Sequence, residues 1–325
     1  MSVSPTNRTL TAVPGLSVGH AGGEAEGSGC TVVLGPFRAA ADVRGFASGT
    51  RQFDSLNPSH VASAVDAILL TGGSAYGLAA ADGVAAWLEE RGRGFETDAG
   101  RVAIVPSAVI FDLAVKDAAR RPDRHMGRQA CEAATAAAVA EGRVGAGSGA
   151  SVGKLFGRER AMPGGLGSWA VEMDEYTVGA LAVVNAFGDV VDARGEILAG
   201  ARNSDGSFAN TAKYLRENRP PAGFRGRPGV NTTLGVVATD YPLTRTDLLT
   251  VARGAMNAIV RRTSPANTPF DGDLVFACST GAVAREAAPA TLLRIGLCAE
   301  EALSTAIVRA VERNQPSGDP TAVAD

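Results

Sequence analysis

The sequence predicts a mixed α and β protein built from packed layers. Strand-like apolar runs alternate with helical runs along the chain. Hydrophobic residues fill 45% of the 325 positions, enough for a full core, and charged residues hold to 20%. Glycine is abundant at 40 copies while aromatics are sparse at 5%, a balance suited to tight turns and small-residue packing.

The elements follow in order. CTVVL (30–34) reads as a short apolar strand, and DAILLTGG (66–73) as a buried strand ending in a glycine turn. Residues 76–91 have helical spacing in Leu78, Val84, Trp87 and Leu88. RVAIVPSAVIFDL (101–113) is strand-like but broken by Pro106, and the alanine-rich residues 126–140 predict a helix. After the glycine-rich run 142–157, TVGALAVVN (177–185) is a strand and GDVVD (188–192) reads as its hairpin partner.

Residues 200–231 form a polar segment too long for an ordinary connection; structureless loops beyond about 12–15 residues are usually functional or disordered. TTLGVVATD (232–240) is a strand with Leu234, Val236 and Ala238 on one face and Thr233, Gly235 and Val237 on the other. Residues 244–262 form an amphipathic helix opened by a Thr244–Asp247 capping box. DLVFACST (273–280) is a strand, 290–313 a last helix, and PSGDPTAVAD a disordered tail.

Net charge of −3 and the lack of a basic run argue against nucleic acid, and no apolar run approaches the roughly 18 residues of a membrane span. The N-terminus lacks the pattern of a signal peptide, so the expected location is the cytoplasm. Cys30, Cys131, Cys278 and Cys298 are scattered, without CxxC, and read as buried small hydrophobes in a reducing compartment. No metal or cofactor is expected. Only His20, His60 and His125 are available as imidazole bases.

The stretch around Lys154 is not a phosphate loop: Ser148 stands where its first glycine belongs, and Leu155 where it needs Ser or Thr. Nor is Gly72–Gly77 a serine elbow, because Tyr76 occupies the second glycine position. A glycine turn that starts a helix is the better reading.

Asn231-Thr232-Thr233 lies where the polar segment meets a strand. Threonine favours strands, so a plain strand start is one reading. The other is chemical. Cleavage between Asn231 and Thr232 would free an α-amine of ordinary pKa about 7.7–8.0, able to take the proton of the Thr232 hydroxyl without a histidine. Asp271-Gly272-Asp273 is either a turn with solvent-facing acids or a pair that polarises Thr232; its spacing supplies too few oxygens for calcium. Asn185, ending its strand, could donate its amide to an oxyanion.

These blocks together resemble the self-processing P1/S58 peptidase family of L-aminopeptidase/D-esterases, β-aminopeptidases and nylon-oligomer hydrolases. The likeness is carried by PGLSVGH (14–20), GCTVVLGP (29–36), ADVRGFASGTR (41–51), the run 68–92, VPSAVIFDL (105–113), GRVGAGSGASVGK (142–154), TVGALAVVNAFGDVVD (177–192), NTTLGVVATD (231–240) and FDGDLVF (270–276). It implies an α+β fold, a four-layer αββα sandwich resembling N-terminal-nucleophile hydrolases. It implies one catalytic domain over 1–325, autocleaved into an α chain 1–231 and a β chain 232–325. Thr232 would be the nucleophile, with Lys154, Asn185, Asp271 and Asp273 around it; the acidic pair matches the nylon-oligomer branch. The substrate would be a short peptide or small amide, and the assembly a tetramer or larger homo-oligomer. Phe111 replaces a tyrosine of the nylon-oligomer enzymes, and Asn267 a histidine common before the acidic motif. An acyltransferase of the ornithine-acetyltransferase type, or an uncleaved binding protein, is the alternative reading.

Overall fold

A computed structural model describes residues 7–113, 115–117, 119–218, 221 and 231–314. Two sheets share one long strand. The first contains β1 (Ser17–Gly23), the front half of β2 (Ser28–Val43), β3 (Val65–Thr71) and β4 (Ser107–Val109), with Thr50–Arg51 at its edge. The second begins with β5 (Gly165–Glu172) and β6 (Thr177–Asn185). A short β7 (Asp189–Val191) stands apart, paired with Ile197–Ala199 and Thr263–Ser264. The second sheet continues through β8 (Thr232–Thr239) and β9 (Leu274–Ser279) to the rear half of β2. A register shift between Leu34 and Phe37 marks where β2 passes from one sheet to the other. The β3–β4 and β8–β9 pairs are parallel, and the other pairs within the two sheets are antiparallel.

Side-chain alternation builds the layers. Val33, Ile68 and Leu70 from the first sheet meet Leu181, Val183, Leu234, Val236 and Phe276 from the second in a central core. The opposite face of the first sheet, with Val32 and Leu69, is covered by α1 (Ala80–Glu89) and α2 (Arg124–Glu132). A short α3 (Thr211–Glu217) lies in the polar segment. The outer face of the second sheet, with Ala180, Ala182 and Val237, is covered by α4 (Arg245–Arg262) and α5 (Pro289–Glu312). The order α–β–β–α is the sandwich implied by the resemblance. Within β8, Leu234, Val236 and Ala238 face the central core and Val237 the helices, as the alternation predicts.

Sequence and structure agree closely at β6 (177–185) and at α4, whose capping box forms with both hydrogen bonds between Thr244 and Asp247. The turn at Gly73 (φ +77°) does start a helix, through a 3-10 stretch at 74–79. Other expectations need correction. The helix expected over 126–140 stops at Glu132, because Thr135 leaves it to exchange two backbone hydrogen bonds with Val18 on β1. GDVVD is not the hairpin partner of β6: both edges of that strand are taken, by β5 and β8. The strand at 30–34 is the front part of the much longer β2, while 101–113 keeps only Gly100–Val102 and Ser107–Val109 as strand. In the polar segment, Asp189 accepts the backbone N–H and hydroxyl of Thr211 and anchors α3, while residues 219–220 and 222–230 lie outside the described residues. The tail 316–325 lies outside the described residues. All four cysteines are free and buried, as expected. Among the described residues no helix is long and apolar enough to cross a membrane.

Candidate active site

Thr232 is the first residue of β8 and stands opposite Asn185, the last residue of β6. Burial is nearly complete: Asn185 is 0% exposed, Asn231, Asp271 and Asp273 each 1%, and Thr232 4%. The Thr232 hydroxyl donates to the Asn231 carbonyl at 2.5 Å, so it already lies against the peptide bond that precedes it.

Lys154 reaches this point from the glycine-rich stretch. Its Nζ donates to the Asn185 backbone carbonyl at 2.9 Å and to Asn185 Oδ1 at 2.8 Å. The backbone of Gly153 and Lys154 is tied to the carbonyls of Gly188 and Phe187. Gly153 adopts a left-handed φ of +71°, and a Cβ there would overlap the backbone of Ala201. Gly153 therefore serves close packing and aims Lys154. Asn185 Oδ1 also accepts the Ser151 N–H at 3.1 Å, and its amide nitrogen donates to the Phe111 carbonyl at 3.3 Å.

The acidic motif is held beside Asn231. Asp271 pairs with Asn231 as a parallel β-bridge, extending the β8–β9 ladder. Asp271 Oδ1 accepts the Phe187 N–H at 3.2 Å, and Oδ2 accepts the Thr268 N–H at 3.1 Å and the Thr268 hydroxyl. Asp273 Oδ1 accepts the Thr233 N–H at 2.6 Å, and Oδ2 the Asn267 N–H at 3.0 Å. Neither acid is solvent-facing, and neither hydrogen-bonds the Thr232 hydroxyl in the intact chain. Asn267 has a left-handed φ of +51°, which aims its N–H at Asp273.

Burial sets the electrostatics. Desolvation drives Lys154 well below its ordinary lysine pKa, even with Asp271 nearby to favour its charge. Asp271 is raised by burial, partly offset by the Thr268 hydroxyl. Asp273, buried and next to Asp271, is pushed up to about 7. The cluster thus holds an acid that changes protonation near neutral pH beside a lysine whose charge is costly, an arrangement typical of proton-transfer sites.

All six sequence-picked residues meet here. Sequence reasoning missed Thr268, the backbone amides of Ser151, Phe187 and Gly272, and the brace from the segment that follows β2. There, the N–H groups of Arg44 and Gly45 donate to the Asp273 carbonyl at 3.0 and 3.1 Å, and Ala47 N–H to that of Asp271 at 2.9 Å. The signal available was ADVRGFASG itself: Gly45 permits this approach, since a Cβ there would overlap the Asp271–Asp273 backbone. Backbone donors carry no residue-type signature. Two clefts of about 430 and 420 Å³ open elsewhere, around Trp87, Arg91 and Arg93 and around Asp123 and His125, and neither includes a residue of the cluster.

The four layers have the architecture of the N-terminal-nucleophile hydrolase fold, with the buried lysine–amide–carboxylate cluster at the head of β8. Residues 8–319 match Peptidase family S58, and the chain belongs to that family. It is 42% identical over 342 residues to an uncharacterized aminopeptidase of Mycobacterium tuberculosis, covering 96% of each. It is 32% identical over 274 residues to the 6-aminohexanoate-oligomer endohydrolase of Kocuria sp., covering 82% of this chain and 73% of that one. The fold is similar to a Burkholderia sp. beta-aminopeptidase (TM-score 0.70, 21% identity, 95% of this chain and 88% of that one). It is also similar to the L-aminopeptidase D-Ala-esterase/amidase of Ochrobactrum anthropi, described as a variant of the Ntn hydrolase fold (TM-score 0.72, 20% identity, 98% and 90%). The protein is an amide hydrolase of this peptidase family.

Proposed function

We propose that the chain cleaves itself between Asn231 and Thr232, and that the freed Thr232 then hydrolyses an N-terminal amide in a short peptide or small amide. The observation that carries this reading is the Thr232 hydroxyl lying 2.5 Å from the Asn231 carbonyl, at a strand head in register with lysine-held Asn185. In processing, Thr232 Oγ attacks the Asn231 carbonyl carbon and the C–N bond breaks. The hydroxyl proton ends on the departing α-amine. Water opens the resulting ester to give the Asn231 carboxylate and a free Thr232. In turnover the same oxygen attacks the substrate carbonyl, the α-amine passes the proton to the leaving amine, and water releases the acyl group. Asp271 and Asp273 position the nucleophile and its amine. Lys154 fixes Asn185, whose amide would turn from Phe111 to the substrate oxyanion.

Cleavage also opens the site. Asn231, 1% exposed, fills the space beside Thr232 in the intact chain. The reading includes a cytoplasmic location and a homo-oligomer, tetrameric or larger, whose size light scattering on the purified protein would measure.

Intact-mass measurement tests the reading. Two fragments, the second starting at Thr232, are expected in place of the 33.0 kDa chain. Thr232→Ala should leave one species without activity on aminoacyl amides. Amide hydrolysis by that variant would remove Thr232 as nucleophile. Acyl transfer to an added amine in preference to water would favour the acyltransferase reading.

A further inference from the structure

We propose that the backbone amide of Gly272 is the oxyanion donor for self-cleavage. The inference rests on the Thr232 reading above and assigns a group that reading leaves open.

The Gly272 N–H donates to the Asn231 carbonyl oxygen at 2.9 Å. That oxygen becomes the oxyanion when Thr232 attacks. An effective donor lies about 2.7–3.1 Å from the atom that gains charge and is fixed before the reaction. The ground-state oxygen already lies within that distance, and the donor is fixed by its surroundings. The Asn231–Asp271 bridge sets the register, and the Asp271 carbonyl is tied to Ala47 N–H at 2.9 Å. The far side of Gly272 packs on the backbone of Ala47 and Ser48.

The hydrogen-bond pattern also changes in the useful direction. In the intact chain the Asn231 oxygen accepts from both the Thr232 hydroxyl and the Gly272 amide. On attack the hydroxyl oxygen becomes the bond-forming atom and ceases to donate to it. Gly272 is then the donor remaining on that oxygen among the described residues. Asn185 is turned away, its amide directed to the Phe111 carbonyl. The three-residue motif thereby supplies carboxylate, amide and carboxylate in succession.

The test removes one N–H. Glycolic acid placed at position 272 by nonsense suppression in cell-free translation replaces that N–H with an ester oxygen and adds no atoms. Conversion of the pulse-labelled chain is followed on gels, with glycine restored by the same route as control. The ester chain should process about 100-fold more slowly, in line with loss of one oxyanion donor. Gly272→Pro and Gly272→Ala give a second measure. Proline deletes the donor, whereas alanine keeps it and adds a comparable Cβ. The shared Cβ meets the Ala47 carbonyl oxygen at 2.8 Å, so both variants should slow, and the proline variant should slow well beyond the alanine one.

An ester chain processing at the control rate overturns the assignment, as does an equal loss in the proline and alanine variants. Thr232→Ala keeps the two claims separate. If it still splits at 231–232, the nucleophile is wrong. If it stays whole while the ester chain cleaves normally, only Gly272 falls.

Discussion

Asn185 and Thr232 are paired across adjacent antiparallel strands, one ending β6 and the other beginning β8. The pairing fixes where Thr232 sits by strand register instead of by a loop. A one-residue slip would turn every β8 side chain to the wrong layer, so the central core that holds Leu234 and Val236 also holds Thr232 in place.

Processing should depend on pH through Asp273. Its carboxyl is raised to about 7 by burial and by Asp271, from an ordinary value near 3.9. If the carboxylate accepts or steers the Thr232 proton, the rate should climb about tenfold per pH unit below 7 and level off above it. Stability carries the opposite sign. Between about pH 4 and 7 the folded chain binds a proton the unfolded chain has lost, so this group's contribution falls as pH rises through that window. Cleavage rates from pH 5.5 to 8.5 check the first claim; a flat profile removes Asp273 from the proton path. Denaturation of Thr232→Ala with and without Asp273→Asn checks the second, the asparagine variant showing the weaker fall.

Lys154 and Asp273 should be energetically coupled. The lysine charge is opposed by burial and favoured by Asp271 and Asp273. Lys154→Met removes both bonds to Asn185 and leaves the acids less compensated, so it should destabilise the uncleaved chain and slow processing about 100-fold. Adding Asp273→Asn should recover part of the stability but none of the rate. Urea unfolding in a Thr232→Ala background gives the cycle, with an expected coupling of about 1–3 kcal/mol. Effects that add within about 0.5 kcal/mol would show that the two residues do not communicate.

The contrast between what was readable and what was not has a physical basis. TVGALAVVN announced a strand because both its faces are buried, and Thr244 with Asp247 announced a helix start because a cap is a local interaction. The alanine-rich run misled because Thr135 pairs with a strand more than 100 residues away, which outweighs helix propensity. GDVVD misled because a hairpin needs a vacant edge, and vacancy belongs to the sheet, not the segment. At the site, the side chains of Thr232, Lys154, Asn185, Asp271 and Asp273 were legible by type. The amides of Phe187, Thr233 and Gly272 were not, since every residue but proline carries one.

Thr268 should act as a positioning residue for Asp271. Its hydroxyl and N–H both donate to Asp271 Oδ2. Hydrogen bonds to a charged acceptor contribute about 1.5–3 kcal/mol, and one pKa unit is about 1.36 kcal/mol. Thr268→Val should therefore raise the Asp271 carboxyl further; a less ionised Asp271 holds Asp273 up less, so the acidic limb of the processing profile should move down. Thr268→Ser should restore the limb. A uniform loss of rate with an unmoved profile would assign Thr268 a packing role only.

Gly45 should be as intolerant of a methyl group as a buried core position. A Cβ there would overlap Asp273 N and lie 2.5 Å from both Asp271 O and the Gly272 carbonyl carbon. These are backbone atoms, which cannot rotate aside as a side-chain end can. Overpacking of this kind costs about 1–3 kcal/mol. The shift would fall on the acidic motif itself, through the Arg44 and Gly45 bonds to the Asp273 carbonyl. Gly45→Ala should lower the melting temperature and slow processing together. Gly254→Ala is the matched control: it lies within α4 with nothing inside 4 Å, so helix propensity should stabilise it by about 0.5–1 kcal/mol with processing unchanged. If Gly45→Ala processes at the unaltered rate while Gly254→Ala behaves as described, the segment after β2 does not brace the Asp271–Asp273 motif in the way its hydrogen bonds indicate.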